Sequence, residues 1–517
     1  MDYACAVSTP VRSPFDPDRI LEATETLEAL GRDWHQLEDL PPDVRRRLHR
    51  AVAALHEPDP ALRRKQFKQR TRDRKSARIE RAESRLSETG IRTLRRKPVF
   101  TTPNIMPPPA RPADDPSPAE HADRVALRNC YVCKRAYTTI HHFYDQLCPE
   151  CADFNFFKRT ELADLTGRVA LVTGARVKIG YQAGLKLLRS GATLIVSTRF
   201  PRDAAARYAA EPDFEEWAGR LSIFGLDLRH TPSVEAFCRT VRSAYARLDF
   251  VINNACQTVR RPPQFYRHMM EAEHAAYERL PAGVRRTLAT YEEARLEDAG
   301  WQAAGLVPAG EGTSLAGLVR SAALSQVALL PEDEAPAALF PAGALDQDLQ
   351  QVDLRGRNSW RLLLDEVSTV ELLEVQLVNA IAPFVLNARL KPLMLATPNR
   401  DKHIVNVSAM EGQFYRRFKT TRHPHTNMAK AALNMMTRTS ATDYQQDGIH
   451  MNSVDTGWVT DEDPEALAQQ KTLEQRFHPP LDIVDGAARI VDPIITGVKT
   501  GHHVWGQFLK DYKPTDW

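Results

Sequence analysis

The sequence predicts an α/β protein built on a doubly wound parallel sheet, preceded by a small cysteine-knuckle module and a basic helical amino-terminal region. Two observations carry the sheet. From about Glu161 onward, short continuous apolar runs alternate with amphipathic stretches, the pattern of strands buried on both faces by crossover helices. The first run, Arg168–Gly174, ends in a glycine turn that opens into a helix, an arrangement in which backbone N–H groups at a helix start can receive phosphate. A third observation, two Cys-x-x-Cys pairs upstream, sets off the knuckle module.

The expected strands are Arg168–Gly174, Ala192–Thr198, Leu221–Asp227, Phe250–Asn254, His403–Ser408 and His450–Val454. The 517 residues suffice for two to four domains at roughly 100–200 residues each. Hydrophobic residues at 43% and charged residues at 26% are ordinary for a globular chain, which excludes a wholly disordered one. No apolar run approaches the ~18–20 residues of a membrane-spanning helix. The start, MDYACAVSTPVRSPFDP, lacks a basic stretch followed by an apolar core. A cytoplasmic chain without a membrane partner is expected, not a secreted disulfide scaffold.

Charge is uneven. Lys+Arg 69 against Asp+Glu 66 gives +3 overall, yet Ala61–Lys97 holds 15 basic and 4 acidic residues, leaving the rest of the chain acidic. Residues 1–97 therefore read as a helical region with a basic arm. Ile20, Leu27, Leu30, Trp34 and Leu37 recur at helical spacing, as do Val44, Leu48, Val52 and Leu55 after Pro41-Pro42. The arm at 61–97 suits nucleic acid, or serves as a solvated or subunit-packing helix. Residues 98–127 read as a linker, because eight prolines fall within Pro98–Pro118.

Within residues 128–157, Cys130 and Cys133 form one pair, and Cys148 and Cys151 a second after 14 intervening residues. Two such knuckles can bring four thiolates into a tetrahedron around Zn2+; a closed shell leaves no place for water, so that zinc would be structural. Four unrelated thiols or two redox pairs are the other reading. His141 and His142 are expected to be bystanders.

Residues 158–517 form the large domain. TGARVKIG (Thr173–Gly180), LDL (Leu226–Leu228), NNAC (Asn253–Cys256), IVNVSA (Ile404–Ala409), the helix through Lys430 and NSVDTGWV (Asn452–Val459) follow in order. Together they resemble the short-chain dehydrogenase/reductase family over roughly Leu165–Arg260 and Val367–Trp517. The resemblance implies a Rossmann-type fold that binds a nicotinamide dinucleotide and exchanges hydride with a carbonyl or alcohol. It also implies a homodimer or homotetramer, with Ser368–Leu386 in the subunit-contact helix.

Carried over residue by residue, the resemblance implies cofactor contacts at Thr173, Gly174, Arg176, Lys178, Ile179 and Gly180 in the turn. Further contacts fall at Arg199, at Asp227 and Leu228, at Asn254 and Ala255, at Lys430, and at Gly457 and Val459. Lys178 stands where a middle glycine is usual. Arg199, with Arg176, replaces the acidic residue that would accept the 2′-OH of NAD, which favours NADP(H) over NAD(H).

The family's proton-transfer group is a Tyr-x-x-x-Lys pair with an upstream serine and an asparagine. Lys430 and Asn379 match the lysine and asparagine. Thr426 stands at the tyrosine, and Ser408 lies one residue before the serine position, which is Ala409. A threonine hydroxyl is a far weaker acid than a phenol of pKa ~10 and is too short to replace it. Tyr415, His423 and His425 are candidate substitutes. Three readings follow: an NADP(H)-dependent regulatory or scaffold protein without the usual proton-transfer pair; an oxidoreductase with another acid, such as His425; and a nucleic-acid-binding scaffold. Residues 261–365 form an insertion expected to be a lid, a partner surface or a packing decoration; a small-molecule substrate or protein partner would be met there.

Overall fold

The computed structural model describes residues 16–56, 60–102, 124–303, 318, 320–416 and 419–517. The chain divides into two units, Met1–Ser84 and Arg85–Trp517.

In the first unit the expected helices form as Pro17–Arg32 and Pro42–His56, and the basic stretch is helical from Pro60. None of the described side chains up to Ser84 is buried, and Ile20, Leu27, Trp34, Val44, Val52 and Leu55 are exposed. Amphipathic stripes are present, but the described residues of this unit bury none of them.

The second unit begins inside the segment assigned to the arm. The helix Gly90–Arg95 belongs to it: Gly90 and Ile91 donate backbone hydrogen bonds to the carbonyls of His142 and Phe143 (3.0 and 2.9 Å), and Arg92 pairs with the buried Asp145. Charge density hid this, because the partners lie some fifty residues away in sequence. Residues 103–123 of the proline-rich linker lie outside the described residues. The linker ends sooner than expected, since β1 (Arg124–Asn129) starts before residue 127 and pairs antiparallel with β2 (Ala136–Thr139).

The large sheet has eight strands. They are β3 (Val169–Thr173), β4 (Thr193–Thr198), β5 (Leu221–Gly225), β6 (Phe250–Asn253), β7 (Lys402–Ser408), β8 (Ile449–Asp455), β9 (Phe508–Lys510) and β10 (Lys513–Thr515). Their spatial order is β10-β9-β8-β7-β6-β3-β4-β5, parallel throughout except for the β9–β10 hairpin. The six expected strands all form; the hairpin was not expected, since three-residue strands are too short to carry a periodic signal. Chain direction across the sheet reverses between β3 and β6, which opens a crevice at the strands' carboxyl ends. This is a Rossmann-type doubly wound sheet.

Helices pack pairwise over it, Lys178–Arg189 with Ile483–Thr500 and Thr231–Ala244 with Ala382–Met394. The continuous helical stretch Thr369–Met394 is long and apolar enough to cross a membrane by length and composition, contrary to the sequence expectation, but half of its apolar window is buried inside the domain. It is interrupted by a π-helical turn, Leu377–Ile381, that carries the buried Asn379.

The insertion covers the β5 edge. Val284, Leu288 and Tyr291 of the helix Ala282–Ala303 are buried in the core that contains Phe224, so β5 offers no open edge on this side. Residues 304–317 and 319 of the insertion lie outside the described residues. At the opposite, amino-terminal ends of β7 and β8, His403 faces His450 in register, and His403 Nε2 lies 3.0 Å from Nδ1 of His503. Burial, together with the neighbouring imidazoles, pushes His403 well below the ordinary imidazole range, and burial also lowers His450 and His503.

Candidate functional site

A cavity of about 480 Å³ opens at the carboxyl ends of β3, β4, β5 and β6. Its floor is the turn after β3. Gly174 has φ +67°, and a Cβ there would lie 2.8 Å from Ala255 Cα; at Gly180 a Cβ would lie 2.3 Å from Asn254 Nδ2. Only glycine fits this approach of the turn to the end of β6. Asn254 Nδ2 donates to the Thr173 carbonyl (3.0 Å), and Ala255 N–H donates to Thr173 Oγ1 (3.0 Å), which stitches the two strand ends together. Lys178 opens the helix at φ 56°, so the position usual for glycine keeps its left-handed backbone while bearing a side chain.

The adjoining strand ends supply charge. Arg199 is half-buried at the end of β4; its Nη2 donates to Tyr266 Oη (2.7 Å), and its guanidinium lies 4.6 Å from that ring's centroid. Arg176 also lines the cavity but is buried and engaged, with Nη1 on Asp203 (2.7 Å) and Nη2 on Gln350 (3.2 Å). The two arginines expected to act together are thus unequal, and Arg199 is the more accessible. Asp227 is gripped by Arg229 through its backbone and guanidinium. Burial would raise its carboxyl pKa, but the hydrogen bonds and charge of Arg229, aided by Arg199, hold it below the usual carboxylate range.

The insertion forms the roof. Gln350, Gln351, Val352 and Asp353 line the cavity, and Arg207 donates to the carbonyls of Asp348 and Leu349 (2.8 and 3.0 Å). Gln347 ties this loop to the carbonyls of Leu94, Arg95 and Lys97. The far wall is Thr460–Glu465 with Ile483. The sequence reading missed Tyr266, Asp353 and this acidic wall; each is brought in by contacts remote in sequence, with no local signal to mark it.

Of the expected cofactor residues, Gly174, Arg176, Lys178, Ile179, Gly180, Arg199, Asp227, Leu228, Asn254 and Ala255 line the cavity. Thr173, Lys430, Gly457 and Val459 are not among the lining residues. Thr173 is occupied in the strand stitch. Gly457 (φ +76°) and Val459 pack against Leu481 and the cysteine module.

The expected catalytic residues lie outside the lining as well. Lys430, on the helix Pro424–Gln446, donates Nζ to the Val407 carbonyl (2.8 Å). Thr426 Oγ1 and Ser408 Oγ are buried with no hydrogen-bond partner among the described residues. His425 is buried, with Nε2 3.6 Å from Glu371 Oε1. Asn379 accepts from Gln257 N–H (2.7 Å) and donates to its carbonyl, so it shapes the loop after β6. Tyr415 is 82% exposed, and His423 stacks on Trp360 at 3.8 Å.

The metal candidates do converge. The Sγ atoms of Cys130, Cys133, Cys148 and Cys151 all lie within 4.8 Å of one another, with Cys130 and Cys148 buried. His141 Nδ1 accepts from the backbone N–H groups of Phe143 and Tyr144, a local structural role.

Doubly wound sheet, glycine turn and crevice define a Rossmann-type α/β protein, and comparison with known proteins narrows the class. Residues 168–277 match the short chain dehydrogenase family and residues 361–481 match enoyl-(acyl carrier protein) reductase. An uncharacterized protein of Acanthamoeba polyphaga mimivirus is 29% identical over 398 residues, which cover 75% of each chain. Dehydrogenase/reductase SDR family member 13 of Bos taurus is 36% identical over 105 residues, covering 20% of this chain and 28% of its own length. Among solved structures, a short-chain dehydrogenase of Burkholderia cenocepacia in complex with NADP has 16% identity and a TM-score of 0.40, over 67% of this chain and 96% of that one. Across residues 168–277 and 361–481, within its large domain, the chain carries the short-chain dehydrogenase/reductase family sequence in divergent form.

Proposed function

We propose that the chain binds NADP(H) in the cavity at the carboxyl ends of β3–β6 and acts as a dinucleotide-dependent regulatory or scaffold protein without the family's usual proton-transfer pair. The observation that carries this reading is an asymmetry: the glycine turn and Arg199 line the cavity, whereas Thr426, Ser408 and His425 are buried outside its lining. Arg199 supplies a cation for a 2′-phosphate, and the helix start at Lys178 supplies N–H groups and an ammonium for the pyrophosphate. When bound, the dinucleotide would carry a hydride. Carbonyl reduction also needs a proton, and neither an alcohol at position 426 nor an imidazole enclosed against Glu371 can deliver one into the cavity.

The test is an equilibrium titration followed by NADPH fluorescence, with NADH as comparison, and a turnover assay on a broad carbonyl panel. The expected result is saturable binding that prefers NADPH, with no turnover. Steady NADPH oxidation that Thr426→Ala abolishes would overturn the reading.

A further inference from the structure

The cysteine module is not a free-standing appendage. Cys130 and Cys133 lie on a turn closed by the next residue, Lys134, which takes φ 63° and donates its N–H to the Cys130 carbonyl (3.0 Å); Cys148 caps the helix Pro149–Thr160, and Cys151 lies in its first turn. Cys133 Sγ and Cys148 Sγ stand 3.6 Å apart. That is far beyond a disulfide bond of ~2.05 Å. It is close to the ~3.8 Å edge of a tetrahedron built from Zn–S bonds of ~2.3 Å.

From this module, ties run to both ends of the segment Gly457–Ile483. At the near end, Trp458 N–H donates to Tyr131 Oη (2.9 Å). At the far end, Gln146 Nε2 donates to the His478 carbonyl (2.7 Å), and Arg159 makes a two-pronged pair with Asp482 (2.6 and 3.0 Å). Tyr144 and Leu147 share one buried cluster with Val459, Leu481 and Ile483. The stretch between these anchors includes the acidic wall Thr460–Glu465.

We propose that Cys130, Cys133, Cys148 and Cys151 bind one Zn2+ whose role is to hold the wall of the cavity in place. The ion fixes the two knuckles relative to each other; the knuckles hold Trp458 and His478–Asp482, and these set the wall facing the glycine turn. Removing the ion frees the ties at both ends at once. The part of the proposal that concerns ligand affinity rests on the dinucleotide reading above; the metal and the clamp do not.

The experiment uses the full chain. Elemental analysis after expression with added zinc is expected to give one equivalent per chain, and exchange with Co2+ the charge-transfer absorption of thiolate ligands. Less than about 0.2 equivalents, with no cobalt signal, overturns the site. Hydrogen exchange is then followed before and after thiol-directed zinc release. Faster exchange across 457–483, with β3–β6 protected as before, supports the clamp; an unchanged 457–483 segment overturns it. Because Cys130→Ser could simply unfold, Tyr131→Phe is the second variant. It keeps all four thiols and should retain zinc, yet raise exchange around Trp458 severalfold and weaken NADPH binding about threefold. Retained zinc with unaltered exchange at Trp458 overturns the coupling. A wild-type chain that binds zinc, shows the exchange response and ignores NADPH places the failure in the dinucleotide reading.

Discussion

The β3–β5 side of the crevice and the β7 side beside it face the same direction but keep different things. On the first, nearly every close contact has a stated use: two glycines make room for Ala255 and Asn254, Arg199 lies over Tyr266, and Asp227 is held by Arg229. On the second, Lys430 is turned to the Val407 carbonyl, and the hydroxyls of Ser408 and Thr426 are buried with no partner among the described residues. A buried hydroxyl left unsatisfied costs about 1–3 kcal/mol. The β7 strand forms in full, while Ser408, Thr426 and Lys430 lie outside the cavity lining. The contrast is between a side whose side chains line the cavity and a side whose polar groups are enclosed beside it.

The largest test of that contrast is Gly180→Val. The added side chain meets Asn254 Nδ2 and the Gly174 carbonyl, so we expect loss of detectable NADPH binding and a destabilisation of about 1–3 kcal/mol, read by fluorescence titration and chemical denaturation. Unimpaired binding would break the assignment of the turn. Next, Arg199→Ala should weaken NADPH by about 10–100-fold, the worth of a charge-assisted hydrogen bond of ~1.5–3 kcal/mol, and leave NADH nearly unchanged. Equal loss for both dinucleotides would remove Arg199 from phosphate recognition.

A third test uses the other end of β7 and β8. His403 is kept neutral in the fold, whereas imidazoles in the unfolded chain titrate near ~6.5, so the unfolded chain binds more protons below that pH. Stability is then full above about pH 6.5 and is lost as pH falls below it. Melting temperature measured from pH 7.5 to 5.5 should decline, and the decline should flatten in His403→Leu. The smallest effect is expected at Thr426→Val, which removes the unpaired hydroxyl at nearly constant volume: a gain of up to about 1 kcal/mol and no change in NADPH affinity. A marked loss of binding or turnover there would return Thr426 to the functional centre.

Much of the sheet was legible because strands covered on both faces must be continuously apolar, and Val169–Thr173 and Thr193–Thr198 are buried along nearly their whole length. The glycine turn was legible because its residues are adjacent in sequence. The roof was not: Gln347 reaches Leu94 and Arg95 across some 250 residues, and no local pattern encodes that contact. Arg176 misled for the same reason, since the Asp203 and Gln350 that occupy it are distant in the chain. The four cysteines were readable as a cluster, but their attachment to Gly457–Ile483 depends on Tyr131, Gln146 and Arg159, ordinary residues until the fold brings them into place.

With glycine at position 178, the helix start would attract an anion through peptide dipoles alone. Lysine adds a full charge on a flexible stem, at the cost of a left-handed backbone. Dipoles act at contact, but an ammonium acts over a distance that dissolved ions shorten to ~8 Å at physiological ionic strength. The grip proposed for this turn on a phosphate would thus depend on the surrounding electrolyte as well as on the fold. Such a turn would hold its ligand loosely in concentrated salt and tightly in dilute buffer.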